Sequence, residues 1–144
     1  MNMKSLLLLL PLFIGATAFA TPCTVTGNNL TYVVQSNPNK PYSELVVSDR
    51  LGRGILHVRD QKTAMDEYWD SNNLCVQPID KYDGCAAFIQ PKSKIVYEGR
   101  DGGLELTLSG NKIVASTGVE IATAQSCTAT QALLAGYAIA LTLK

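Results

Sequence analysis

The densest group of chemically capable side chains is Met65-Asp66-Glu67-Tyr68-Trp69-Asp70, which sets the only tryptophan beside a tyrosine and three carboxylates. Aromatic faces stack on sugar rings, and carboxylates accept hydrogen bonds from sugar hydroxyls. Asp66, Tyr68, Trp69 and Asp70 are therefore the candidate ligand contacts. With Asp80 and Asp83 the same carboxylates could supply oxygen to calcium, but the D-x-[DN]-x-[DN]-G spacing of a calcium loop is missing. Two carboxylates about 5–9 Å apart could also hydrolyse a glycoside, yet none sits in a context that predicts a raised pKa. The favoured reading is structural: Tyr68 and Trp69 cap the core, and recognition comes second.

A second group, Ser48 to Lys62, carries Arg50, Arg53, His57, Arg59 and Lys62. Such a face could grip phosphate or an acidic sugar. Asp49 and Asp60 dilute it, and the phosphate-loop pattern G-x4-G-K-[ST] is absent. A solvated hairpin face is the favoured reading. His57, the only histidine, is expected to be exposed, opposite Leu56 and Val58. One histidine excludes any two-histidine mechanism, and no G-x-S-x-G elbow accompanies it. The sequence points away from catalysis.

Four cysteines, Cys23, Cys75, Cys85 and Cys127, allow three pairings. The favoured one joins Cys75 to Cys85 across a short loop and Cys23 to Cys127 across the whole domain. Zinc sites show close pairs such as C-x2-C, which this chain lacks, so no metal and no cofactor are expected.

These cysteines follow a segment that reads as an export signal. Lys4 precedes the apolar run Leu6 to Ile14, and Ala18-Phe19-Ala20 has small residues where a signal peptidase reads. The run is shorter than the roughly 20 apolar residues of a membrane span. Cleavage after Ala20 is expected, leaving one β-domain over 21–144 with no transmembrane segment. Export to an oxidising compartment suits disulfides: extracellular or cell-wall associated, or periplasmic if the host is bacterial. Without Lys4, eleven basic residues face twelve acidic ones. That balance gives no electrostatic reason to expect nucleic acid or an anionic membrane as partner. Asn29-Leu30-Thr31 fits the N-glycosylation pattern and falls at a predicted turn.

The elements that must position these residues are short strands. Turn signals recur every eight to twelve residues, the spacing of an all-β sandwich or barrel. Strands are predicted at 30–35, 43–48, 54–59, 85–90, 94–98, 104–108, 112–116 and 119–123. The clearest evidence is the alternation of Leu104, Leu106 and Leu108 with Glu105, Thr107 and Ser109. The expectation is a disulfide-braced sandwich or barrel of about eight or nine strands. A short helical turn is expected near 128–135, followed by a final strand placing Tyr137, Ile139, Leu141 and Leu143 on one side. The same apolar tail could serve as a lipid-anchor signal with Ser116-Thr117-Gly118 as attachment site; the core reading is preferred, because that cut would discard Cys127.

Cys23, the segment TYVVQS and the block CAAFIQPKSKIVYEGRDGGLELTLSG resemble small secreted fungal surface proteins. The nearest are the phialide-type cell-wall proteins, whose modules combine a cysteine, an A-x-F strand and a D-G-x-L hairpin. The matching positions are Cys85, Ala86, Phe88, Asp101, Gly102 and Leu104. That resemblance, like the looser one to β-rich effectors, implies a surface or host-facing role without catalysis. The expected function is thus non-enzymatic binding of a cell-wall glycan or a host protein. The alternatives are a small hydrolase, an enzyme inhibitor and a structural coat protein.

Overall fold

Side-chain alternation closes the sheet on itself. In the first strand Cys23 and Val25 are buried while Thr26 faces solvent, and the pattern repeats around the molecule. A computed structural model describes residues 21–36, 44–59, 73–81 and 84–144. The expected leader and the segment carrying Asp66, Tyr68, Trp69 and Asp70 lie outside them.

Ten antiparallel strands form a closed barrel: β1 (Cys23–Gly27), β2 (Leu30–Ser36), β3 (Glu44–Ser48), β4 (Gly54–Arg59), β5 (Leu74–Pro78), β6 (Ala87–Gln90), β7 (Ile95–Tyr97), β8 (Glu105–Ser109), β9 (Lys112–Ala115) and β10 (Glu120–Gln125). Each strand pairs with its neighbours in sequence. The seam is β1 on β10, with Val25 opposite Ala124. Asn28 and Asn29 both take positive φ, 51° and 60°, which a two-residue turn needs to match the strand twist. All eight expected strands are present, and the 94–116 meander forms β7 to β9. The two further strands are β1 and β5, whose runs are short and end at Gly27 and Pro78.

A closed barrel of eight strands is just filled by its own side chains, and a wider one leaves space. Here a single helix, α1 (Ala129–Leu141), fills the space. It packs against β1 to β4 and β6 to β10, and every residue from Ala132 to Ala140 is buried. This corrects the expected final strand over 137–143. Tyr137, Ile139 and Leu141 do alternate, but Leu134, Ala135, Ala138 and Ala140 are equally apolar. A helix enclosed on all sides shows no polar face, so period two and period 3.6 fit alike. Alanine-rich composition favours helix, and Thr128 starts it with a capping box. The Thr128 hydroxyl accepts from the Gln131 N–H at 3.2 Å, and the Thr128 N–H donates to Gln131 Oε1 at 2.8 Å.

The helix is held at both ends. Cys127, just before the cap, is bonded to Cys23 at the start of β1, and Cys75 is bonded to Cys85. By loop-closure entropy the long-range bridge contributes about 4–5 kcal/mol and the short one about 3 kcal/mol or less. At the other end Asn28 Nδ2 donates to Thr142 Oγ1 at 3.1 Å. Among the described residues no helix is long and apolar enough to cross a membrane.

Clearance between helix and wall is small at Gly136. A Cβ there would lie 2.9 Å from two side-chain carbons of the fully buried Ile113. Gly136→Ala is therefore expected to destabilise: overpacking of about 1–3 kcal/mol outweighs a helix-propensity gain of about 1 kcal/mol. Urea unfolding of Gly136→Ala, Ile113→Ala and the double variant checks this. The double variant should lose less than the two single losses added together, and a stabilised Gly136→Ala would mean the helix is not tightly enclosed.

Candidate functional site

Three polar clusters stand out from the apolar framework. The first is Glu98, on the inward side of its strand in step with Val96. Its carboxylate is buried and saturated. Oε1 accepts from the Leu104 N–H at 2.9 Å and Arg100 at 3.1 Å, and Oε2 accepts from the Tyr137 hydroxyl at 2.6 Å and Lys144 at 3.2 Å. Burial alone would raise its pKa. The Leu104 N–H, the Tyr137 hydroxyl and Lys144 outweigh burial and pull it down to about 2. Burial and the adjacent carboxylate push the Tyr137 hydroxyl the other way, far above its usual range. Glu98 thus fastens α1 to the wall and is held in the form that cannot donate a proton.

The second cluster lies outside β4 and β5. His57 is buried, not exposed as expected from its strand position. Its Nε2 donates to the Lys81 carbonyl at 2.8 Å, and Gln77, directly opposite on β5, donates to the Gly84 carbonyl at 2.8 Å. A carbonyl only accepts, so Nε2 carries a proton. These bonds and the Cys75–Cys85 bridge hold the β5–β6 connection against the barrel. His57 therefore has a fastening role, and it stands apart from the arginines of the β3–β4 turn.

The third cluster is an open cleft of about 210 Å³ at the rim where α1 ends, between the β1–β2 and β3–β4 turns. The β3–β4 turn braces itself. Asp49 Oδ1 accepts from the Leu51 and Arg53 N–H groups at 2.9 and 3.0 Å, and Oδ2 accepts from Arg53 Nε at 2.8 Å. Gly52 supplies the positive φ, 80°, that lets the chain reverse. The Arg53 N–H foremost, against a smaller opposing effect of burial, holds the Asp49 carboxyl below its usual pKa, with Leu51 and the Arg53 side chain assisting. Arg50 projects from the same turn with no ion pair or hydrogen bond among the described residues.

Across from this turn, Asn29, Leu30, Thr31 and Tyr32 complete the lining. Tyr32 shares the inward side of β2 with Val34 and is only 6% exposed. Its hydroxyl has no hydrogen-bond partner among the described residues. Burial first, and the Asp49 charge second, raise its pKa, so the phenol remains a donor. Because Tyr32 lines an open cleft, its hydroxyl is a candidate donor to a ligand oxygen.

Among the sequence-based candidates, Arg50, Arg53 and Asn29 are brought together here, and Asn29 is exposed on its turn. Asp66, Tyr68, Trp69 and Asp70 lie outside the described residues. Tyr32 and Glu98 were not anticipated as important. Each carried a signal: a polar side chain on the strand parity otherwise occupied by Val34 or Val96. The chain matches no family model, no curated protein and no solved structure.

The Glu98 arrangement gives an acid-stability test. A carboxyl whose folded pKa is depressed from 4.5 to about 2 stabilises the fold fully above the higher value and loses that contribution as pH falls through the interval. Urea unfolding between pH 5 and pH 2 should therefore show falling stability, with a shallower slope in Glu98→Gln. Tyr137→Phe should lose about 1.5–3 kcal/mol near pH 7. An unchanged slope in Glu98→Gln would assign the acid sensitivity to other carboxylates.

Proposed function

We propose that this chain is an exported, non-enzymatic binding protein that takes a surface or cell-wall glycan in the rim cleft. The carrying observation is Tyr32: a largely buried residue in the lining of an open cleft beside Asn29 and Thr31, whose protonated hydroxyl has no hydrogen-bond partner among the described residues. A ligand hydroxyl is the natural acceptor for it. Pockets for drug-sized ligands run about 300–1,000 Å³. This cleft is smaller, and suits one sugar unit at a chain end or branch.

Three further points support the reading. Helix α1 occupies the lumen, so recognition falls to the rim of the barrel. The leader pattern and two disulfides suit an oxidising, extracellular setting. A general acid needs a raised pKa, whereas the most enclosed carboxylate among the described residues, Glu98, is pushed to about 2. The resemblance to fungal wall proteins fits the same surface role. Asp66, Tyr68, Trp69 and Asp70 are proposed as an accessory aromatic and acidic patch.

Tyr32→Phe removes the hydroxyl and keeps the ring. Its fold should be as stable as the parent or slightly more so, since no internal hydrogen bond is lost. Its retention on insoluble chitin, glucan, mannan and pectin should be about three- to tenfold weaker on whichever polymer holds the parent. Equal retention of the two proteins, or retention of neither on all four, would overturn the proposal.

A further inference from the structure

Resting on the glycan-binding reading above, we propose that the rim cleft selects a sugar bearing a carboxylate, a hexuronic acid, and that Arg50 is the residue that reads the charge. Asp49, Arg50 and Arg53 are the ionisable residues of opposite sign in the lining, two cations against one anion. The anion is already committed. Two backbone N–H groups and the Arg53 Nε satisfy the Asp49 carboxylate within its own turn. Arg53 is committed with it.

Among the described residues Arg50 has no ion pair or hydrogen bond to neutralise it. Its turn is fixed by Asp49 and Gly52, so the guanidinium is displayed from a rigid base. A planar guanidinium accommodates a carboxylate through two parallel N–H···O bonds. The remaining lining suits the rest of a pyranose. Tyr32 donates to a ring hydroxyl, Asn29 and Thr31 offer both donor and acceptor atoms, and Leu51, 77% exposed, offers an apolar surface to the C–H face.

The two halves of this recognition separate experimentally. Tyr32 serves any sugar, and Arg50 serves only the charged one. Methyl glucuronide and methyl glucoside differ only at C6, a carboxylate against a hydroxymethyl group. Titration of the intact exported chain, followed by NMR shifts or calorimetry, should show the glucuronide binding at least about tenfold more tightly. In Arg50→Gln the ratio of the two affinities should fall to near one, with an unchanged thermal midpoint because Arg50 is exposed. In Tyr32→Phe both sugars should weaken while their ratio stays. Acetate, a carboxylate without a sugar, should bind at least about tenfold more weakly than the glucuronide.

Equal binding of glucuronide and glucoside would overturn the charge selection and leave the glycan reading standing. Tighter binding of glucose 6-phosphate than of glucuronide would overturn the carboxylate assignment in favour of a phosphate. Acetate matching the glucuronide, or an acidic peptide shifting Arg50 and Tyr32 where neither sugar does, would overturn both this inference and the reading beneath it.

Discussion

A closed ten-stranded barrel encloses more space than its inward side chains can fill, and the rest of this structure follows from filling it. Val25, Val34, Val47, Val76, Ile89, Val96, Leu106 and Ile113 line the inside of the wall. They leave room for one slender helix. That requirement suits the composition of α1: Gly136 stands where the wall comes close at Ile113, and alanines alternate with the larger Leu133, Leu134, Tyr137 and Ile139, all buried. It also explains the bracing at both ends. A helix threaded through a barrel loses all of its packing if it slips out. The Cys23–Cys127 bridge and the Thr128 cap hold one end, and Glu98, Asn28 and Thr142 hold the other.

Filling the lumen also restricts where the proposed recognition can take place. Small closed barrels often carry ligands inside, but here the protein's own chain has that place. What remains is the rim, where hairpin turns on a rigid frame present side chains at fixed positions. The β3–β4 turn shows how this is done locally. Asp49 ties Leu51 and Arg53 into one hydrogen-bonded loop, so the neighbouring Arg50 starts from an ordered backbone. Little entropy remains to be lost there on binding.

Much of this frame was legible in the sequence. Alternation and turn residues located eight strands, and the cysteine positions pointed to both bridges. What failed to be legible was non-local. The second half of α1 carried no helical face, because the barrel covers every side of it and a polar stripe would have been buried. His57 sat at an outward strand position, and the strand pattern was right about that. Its burial goes with its bond to the Lys81 carbonyl, beside the Cys75–Cys85 bridge and the Gln77 bond to Gly84. Arg50, Arg53 and His57 belong to one basic run in sequence, but the turn at 49–53 holds the two arginines while His57 lies covered on the strand after it. Tyr32 could be assigned an inward direction from Leu30 and Val34. That it lines a cleft with the β3–β4 turn depends on the barrel bringing β2 and that turn together, which no local pattern records.

Glu98 is harder to account for by stability alone. Burying a carboxylate is unfavourable, and an apolar residue of similar volume often serves as well or better. The position is worse still because α1 ends nearby, and the negative pole of its dipole faces the same rim. Four donors offset this, two on each oxygen, and two of them, Tyr137 and Lys144, belong to the helix or the residues after it. An apolar helix in an apolar tube meets little resistance to turning or sliding, because one greasy contact replaces another at small cost. A buried carboxylate behaves differently: a rotation of α1 that withdrew Tyr137 would leave a desolvated charge missing a donor. The contact therefore separates the native register from its neighbours more sharply than packing does, much as single polar residues fix register in coiled coils. On this argument Glu98 contributes mainly the uniqueness of the fold, and the rim cleft, a turn away from the end of the same helix at Asn28 and Thr142, inherits its fixed geometry from that register.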